Sequence, residues 1–559
     1  MLLGIDVGGT YTDAVLVHQH RVLRSTKVPT TRGDLLQGIL GALDGVLDGN
    51  LSGDIQQIAL STTLITNAIV ENKTDPVGVL VIPGPGMNIE PILPTEADVL
   101  TGSIDHRGRE VVPVNRTEVE QAVARFCQSG IRLFAVVGKF SVRNPAHELM
   151  VARWVREGCP TAEYIALGHR LGGALNFPRR IHTATLNADT WLIYQSFVDA
   201  VEEAFRMRRL KAPVVILKAD GGTLPLKTSR DIPVETIFTG PAASILGIQA
   251  LCEIEQPSVT LDVGGTTTDI ALFRHGEPIL APKGARVGKY LTQVRSFSTQ
   301  SIGVGGDSWV RTEQGQLIIG PERKGLPAAL GGSYPTITDA LCVLRETGWG
   351  DRKLAINAIN SLDLGRAEEV AEQVLEAAAS RVAEAVSQMI TAWEQEPLYR
   401  VHELLHQPNF NLKQLVGVGG GANGFVQRVA RKLGCSVVLP KGGIVANAIG
   451  AAVSKPTLML TLRVDTELKE MVFIEEGIQQ PLLENCCDLE GVIAAAKERL
   501  SIMSVAMGLS TGEIETVYSE IFNVVRRNYT TGKIITAQVQ LRPGILTKVL
   551  WEAGDLDVQ

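Results

Sequence analysis

The sequence holds no Gly-x-x-x-x-Gly-Lys-Ser/Thr stretch in its 559 residues, so any nucleotide it binds is not held by a P-loop. It has no run of 18 apolar residues, which argues against a membrane-spanning helix. Its seven cysteines include no Cys-x-x-Cys pair, which removes redox, zinc-ribbon and iron–sulfur spacings and fits buried thiols in a reducing compartment. The adjacent pair Cys486-Cys487 is the remaining metal or redox feature, and it is weak. Basic residues are not in surplus: 53 Lys and Arg face 60 Asp and Glu, a net charge of −7. Nucleic acid and anionic membranes are therefore not expected as principal partners. The first strand pattern begins with no basic n-region or cleavable apolar stretch ahead of it, so a cytoplasmic protein is expected. What is present, 45% apolar and 20% charged residues, is the composition of a soluble globular enzyme of two to four domains.

One stretch occurs twice. Asp6-Val7-Gly8-Gly9-Thr10-Tyr11-Thr12-Asp13 and Asp262-Val263-Gly264-Gly265-Thr266-Thr267-Thr268-Asp269 differ only at the sixth position. Each lies between two apolar runs, the pattern of strand, glycine turn, strand. Paired glycines carry no Cβ, so backbone N–H groups can approach phosphate oxygens. Thr10, Thr12, Thr266 and Thr267 add hydroxyl donors, and the carboxylates of Asp6 and Asp262 suit a divalent cation or its waters. Two such hairpins facing each other would grip a polyphosphate from both sides.

Residues 1 to about 30 read as an antiparallel meander turning at His18-Gln19-His20, and Gly33 to Asp48 has helical spacing. Ser61 to Val70 reads as a capped helix after the strand Ile58 to Leu60. Alternating strand and helix signals from 77 to 170 imply a largely parallel sheet. Helical spacing follows near 180–208, then a buried strand Val214 to Leu217 ending at Lys218-Ala219-Asp220-Gly221-Gly222. Gly240-Pro241-Ala242-Ala243 opens a helix. Ser301 to Ser308 is a further glycine turn, residues 320–338 a Gly/Pro-rich loop, and 366–396 the longest amphipathic helix.

Gly419, Gly421 and Gly424 satisfy Gly-x-Gly-x-x-Gly after the strand Leu415 to Val418. The motif sits late in the chain, with no acidic residue ~20 positions on. A glycine turn that accommodates an adenosine beside the two hairpins fits better than a dinucleotide site. Val445 to Ala452 is a small-residue helix suited to close packing near a hinge. His402-Glu403-Leu404-Leu405-His406 matches His-Glu-x-x-His, but with no third ligand nearby it reads as a helix end rather than a protease site. After Pro456 the pattern becomes a small α+β appendage, with a hairpin signal at Thr530-Thr531-Gly532-Lys533.

The order of two Asp-x-Gly-Gly-Thr hairpins, a triple-glycine turn and an Ala-x-Gly-Ala helix resembles the sugar kinase, actin and heat-shock chaperone ATPase superfamily. More closely, the chain resembles the hydantoinase A, 5-oxoprolinase and acetone carboxylase family. The shared stretches run from 6–13 through Asn144 to Glu148, Asp220-Gly221-Gly222, Thr239 to Ala243, 262–269, 301–308, Pro335 to Asp339 and 417–421. The resemblance implies an α/β fold of duplicated actin-like (ribonuclease H-like) ATPase domains, with an inserted α/β subdomain and a small C-terminal α+β appendage. The expected divisions are 1–250, 251–455 and 456–559.

It also implies ATP- and Mg-dependent phosphorylation of a carbonyl oxygen, followed by hydrolysis of a cyclic amide or carboxylation of a ketone. Asp6, Asp262, Asp13 and Asp269 would serve catalysis. Gly8, Gly9, Thr10, Thr12, Gly264, Gly265, Thr266 and Thr267 would hold the phosphates, and Gly419, Gly420, Gly421 and Asn423 the nucleoside. His147 and His169 match positions resembling metal ligands in some relatives, which makes Zn or another divalent ion a further expectation. Glu148 or Asp105 would complete that set. A second catalytic subunit and an oligomer are expected partners. Two departures bear on substrate: Leu60-Ser61-Thr62-Thr63 replaces the His-Gly-Thr-Thr of relatives, and Gly305-Gly306-Asp307 replaces a triple glycine. The rival readings are a nucleotide-switched regulatory or chaperone-like ATPase and a small-molecule kinase.

Overall fold

A computed structural model describes residues 1–30, 35–47, 54–94, 96–396, 409–509 and 512–551. The His402 to His406 stretch lies outside them. Two six-stranded sheets are built on one plan, as the repeated stretch implies. In the first, the strand order is Thr223–Pro225, Val214–Leu217, Gln57–Thr62, Leu2–Val7, Tyr11–His18, Arg21–Pro29. In the second, Ser436–Val438, Gln414–Val418, Ser258–Val263 and Thr268–Arg274 follow in the same sense, with Thr299–Ile302 and Glu277–Pro278 both paired to the last. Each acidic stretch leaves a central strand that is antiparallel to the strand after its turn. The same central strand is parallel to a strand on its other side. The register sets Asp6 opposite Asp13 and Asp262 opposite Asp269.

The helices Thr239–Leu251 and Ala446–Val453 cross where each has a glycine. A Cβ on Gly247 would stand 2.0 Å from the Ala446 carbonyl, and one on Gly450 would stand 1.9 Å from the Ala243 carbonyl. Gly4 is pressed as closely on the Ala448 carbonyl. The small-residue helix read from the sequence therefore joins the two halves backbone to backbone, without intervening side chains.

Inserted in sequence between Gln57–Thr62 and Val214–Leu217 of the first sheet is a four-stranded parallel sheet ordered Tyr164–Leu167, Leu133–Gly138, Val77–Ile82, Ala97–Val99. Its two central strands, Val77–Ile82 and Leu133–Gly138, are buried on both faces, and Leu80, Phe126, Phe134, Val151 and Val155 pack together on one of them. The long helix Ala367–Glu394 buries Val370, Val374, Ala378, Val382 and Val386 against the second half, as its stripe predicts. Beyond residue 458 a five-stranded antiparallel sheet carries the helix Leu489–Ala506.

Three local readings change. The helical stretch near 180–208 is two helices, Phe177–Asp189 and Trp191–Met207. They divide at Thr190, whose hydroxyl donates to the Leu186 carbonyl at 2.6 Å and so competes with the helix ladder. Thr530 to Lys533 lies within a strand, and the hairpin turns instead at Arg527 and Asn528, both at positive φ, where Asn is tolerated well. Ser61 and Thr62 belong to the strand Gln57–Thr62, and the helix starts only at Leu64 with no side-chain cap.

Candidate active site

The central strands of the two halves deliver Asp6 and Asp262 to one place. Asn447, near the start of the crossing helix Ala446–Val453, donates through Nδ2 to Asp6 Oδ2 at 3.4 Å and also hydrogen-bonds Asp262. Ser61 Oγ donates to Asp6 Oδ1 at 2.5 Å, and Ser244, on the helix Thr239–Leu251, hydrogen-bonds Asp262. The two acidic hairpins therefore open on one cleft between the halves.

Four carboxyl groups converge electrostatically there, and burial pushes each of them up. For Asp6, burial outweighs the opposing pull of Ser61, Lys27 and Asn447. For Asp262, burial dominates and the Asp6 charge adds to it, against Ser244, Asn447 and Lys27. Asp13 is pushed up to about 6, chiefly by burial and partly by Asp6 and Asp262, although Lys27 Nζ lies 2.6 Å from its Oδ2. Asp269 is pushed up to about 7 by burial and by Asp262, with Ser301 opposing. Lys27 faces Asp13 directly in the strand register. One lysine against four acids leaves the cleft short of positive charge, as a site for a cation and its bound anion should be.

Each phosphate turn closes the same way. Gly8 N donates to the Tyr11 carbonyl at 3.0 Å, and Gly264 N donates to the Thr267 carbonyl at 2.9 Å. Gly9 is exposed, and Gly8, Thr10, Gly264, Gly265, Thr266 and Thr267 are half-buried, at the mouth of the cleft. Thr12 is placed differently from the other expected phosphate ligands. It is fully buried in its strand, and its hydroxyl shares a 3.0 Å hydrogen bond with Thr30, which in turn donates to the Gly8 carbonyl at 2.9 Å. Thr12 thus braces the turn from behind.

The third glycine turn rests on the second hairpin. Gly421 N donates to the Val263 carbonyl at 3.1 Å. A Cβ on Gly419, whose φ is +90°, would lie 2.5 Å from that carbonyl and 2.6 Å from Asp262 Oδ1. Only glycine lets this turn approach the acid so closely. Gly420 and Asn423 are exposed on its outer side. Gly424 then starts the helix Phe425–Leu433, which Arg428 anchors through Glu346 at 2.5 and 2.8 Å and Glu372 at 2.8 Å.

His147 and His169 lie apart from this cleft's acids in the hydrogen-bond network, each with its own carboxylate. His147 Nε2 pairs with Glu110 at 2.8 Å, and His169 Nδ1 pairs with Glu148 at 2.5 Å. Glu148 is fully buried and also accepts from the backbone N–H groups of Gly138 and His169. Asp105 is occupied by Arg109 and by its own loop's N–H groups. Among the described residues no three His, Cys, Asp or Glu side chains gather as ion ligands. The expected second metal therefore finds no assembled cluster. Magnesium makes a lesser demand, since it takes one or two carboxylates and fills its remaining positions with phosphate oxygens and water.

Ser61, Asn447, Ser244 and Lys27 were not read from the sequence as site residues. Counting register from the turn at Gln19 and His20 would set Thr26 opposite Asp13, and it is the irregularity between Leu16 and Val17 that brings Lys27 there instead. Asn447 was accessible as the polar residue in an otherwise small apolar helix.

Residues 2–159 match the hydantoinase/oxoprolinase N-terminal region, and residues 180–459 match the hydantoinase/oxoprolinase domain. The caprolactamase alpha subunit of Pseudomonas jessenii is 26% identical over 532 residues, which span 86% of this chain and 74% of that one. The acetophenone carboxylase gamma subunit of Aromatoleum aromaticum is 24% identical over 534 residues, 86% of this chain and 70% of that one. Nucleotide-free acetone carboxylase superposes with a TM-score of 0.75 at 17% identity, over 97% of this chain and 87% of the other. The ATP-dependent caprolactamase of Pseudomonas jessenii gives 0.69 at 22%, over 96% and 87%. These two structures share the fold, with its duplicated halves, insert and C-terminal sheet. The chain belongs to the hydantoinase/oxoprolinase family.

Proposed function

We propose that the chain is an ATP-dependent enzyme that activates a carbonyl oxygen, either to hydrolyse a cyclic amide of the hydantoin, oxoproline or lactam kind or to prepare a ketone for carboxylation. The observation that carries this reading is the meeting of Asp6 and Asp262 across Asn447, which turns two near-identical phosphate-type hairpins toward each other. The relatives' names, an ATP-dependent caprolactamase and acetone and acetophenone carboxylases, support it.

The half-buried turns at Gly8 to Thr10 and Gly264 to Thr267 would receive the phosphates, and the turn at Gly419 to Asn423 the nucleoside. The fit is good: the turns carry no side chain where phosphate must approach, and the acids outnumber the cations near them. Asp6 and Asp262 would hold magnesium, which supplies charge neutralisation between the phosphates when bound. The substrate's carbonyl oxygen forms a bond to the terminal phosphorus as the bond to the leaving ADP breaks. In a lactam, water attacks the activated carbonyl carbon, the ring C–N bond breaks and phosphate leaves. In a ketone, the α-carbon loses a proton as the oxygen is phosphorylated. That carbon then attacks the carbon of bicarbonate-derived carbon dioxide as the O–P bond breaks and phosphate leaves. Asp13 and Asp269, whose carboxyls burial pushes up to about 6 and about 7, would take or give a proton beside the reacting groups. Such transfer depends on positioning and electrostatics more than on a special nucleophile. A partner subunit is part of this proposal, since two relatives are named as subunits.

The test is phosphate release from MgATP by purified protein against a panel of hydantoins, 5-oxoproline, lactams, and ketones with bicarbonate. Stimulation by one chemical class assigns the substrate. Accumulation of a stable phosphorylated product would instead make the protein a small-molecule kinase. Turnover that responds only to another protein would make it a regulatory ATPase.

A further inference from the structure

The segment Gly305-Gly306-Asp307 lies directly on the second phosphate turn. Gly306 N donates to the Gly264 carbonyl at 2.9 Å, and Asp307 N donates to the Gly265 carbonyl at 2.6 Å. A Cβ on Gly305 would fall 2.7 Å from the backbone of Thr266 and Thr267, so this contact needs glycine. Asp307 then sets its carboxylate beside the turn. A Cβ built on Gly265 would be 3.0 Å from Asp307 Oδ2. That oxygen is also the anchor of Arg323, whose Nε and Nη2 each lie 3.0 Å from it.

A carboxylate beside a turn that receives polyphosphate is unfavourable unless a cation accompanies it. Asp307 is buried, and Arg323 is one-fifth exposed at its side chain. Two of the five guanidinium donors are spent on Asp307, and no other protein partner for them appears among the described residues. A planar guanidinium with donors to spare, pinned at the rim of a phosphate turn, suits a terminal phosphate.

We propose that Arg323 is a phosphate-binding residue of this chain, that it reads the outer phosphates of a nucleoside triphosphate, and that Asp307 is its positioning residue. This rests on the nucleotide reading above.

The test is isothermal titration of the whole protein with AMPPNP, ADP and AMP in the presence of magnesium, for the unaltered chain, Arg323→Met, Arg323→Lys, Asp307→Asn and the double variant. Melting curves verify that each variant is folded. Arg323→Met should weaken AMPPNP roughly 10- to 100-fold while leaving AMP unchanged, and Arg323→Lys should recover part of the loss. Asp307→Asn should weaken AMPPNP when Arg323 is present, because the guanidinium loses its anchor. It should strengthen AMPPNP when Arg323 is Met, because an unpaired carboxylate is then removed. A purely structural role would not produce that reversal of sign. An unchanged AMPPNP affinity in Arg323→Met, an equal loss for AMP, or an Asp307 effect of one sign in both backgrounds would overturn the assignment. If the unaltered protein binds none of the three nucleotides, the proposed function itself falls, and this inference with it.

Discussion

Ser61 Oγ donates to Asp6 Oδ1 across 2.5 Å, so the Ser61 hydroxyl is among the groups holding a buried carboxylate in its charged form. Removing it in Ser61→Ala leaves burial less opposed, and Asp6 then stays protonated to higher pH. The acid limb of the pH profile of ATP turnover should move upward in pH while the alkaline limb stays in place. An unmoved acid limb would show that Asp6 does not have to be ionised for turnover.

Asp262→Asn should reduce kcat for ATP turnover by about 100-fold or more, since a charge placed for the transition state is lost. Stability should be unchanged or higher, because the substitution removes a buried charge that repels Asp6. Thermal melting and steady-state kinetics on the same sample check both halves. Full activity in this variant would remove the proposed mechanism.

The same carboxyl groups make stability depend on pH in a defined direction. Asp13 and Asp269 stand at about 6 and about 7 in the folded protein against 3.8 ordinarily. The folded state therefore keeps protons that the unfolded chain has released. Their contribution to stability is whole below about pH 4 and is lost as pH rises through about 6 to 7. The melting temperature in the absence of nucleotide should carry a falling component between about pH 4 and about pH 7, and Asp269→Asn should flatten it. An identical slope in the variant would refute this.

Gly450→Val would drive a side chain into the carbonyl of Ala243, where even a Cβ would lie 1.9 Å away. Overpacking of this kind costs about 1–3 kcal/mol or more. Because the strain falls between the halves, nucleotide affinity should drop along with stability. Urea denaturation and nucleotide titration should register both, and loss of stability alone would separate the crossing from the cleft.

Arg428→Met should raise KM for ATP more than it lowers kcat. The guanidinium pairs with Glu346 and Glu372 behind the third glycine turn, away from Asp6 and Asp262. Equal effects on both constants would mean that the turn's anchoring reaches the chemical step.

The duplicated hairpins were legible because they depend on local patterns: alternating apolar strands, paired glycines and a repeated acid. The parallel insert and the long helix were legible for the same reason. Ser61 was misread as part of a helix start because a run of hydroxyl residues before apolar spacing looks the same at a strand end and at a cap. The turn at Arg527-Asn528 was missed because Thr530 to Lys533 offered the stronger glycine signal. Thr12 was grouped with the phosphate ligands by motif, yet a strand alternates its faces, and that alternation turns Thr12 toward Thr30. Glu148, named beside the two histidines from the sequence, does pair with His169, whereas the Glu110 that pairs with His147 comes from another segment, which spacing along the chain does not report.

Gly419 touching Asp262 has one more consequence. The loop that would seat the base and the acid that would serve the far end of the same ligand share a boundary of bare backbone, with no side chain to absorb a displacement. A base that sits badly would disturb the acid at once. On the proposed nucleotide reading, fidelity toward the nucleobase would be wired into reaction rate as well as into binding strength.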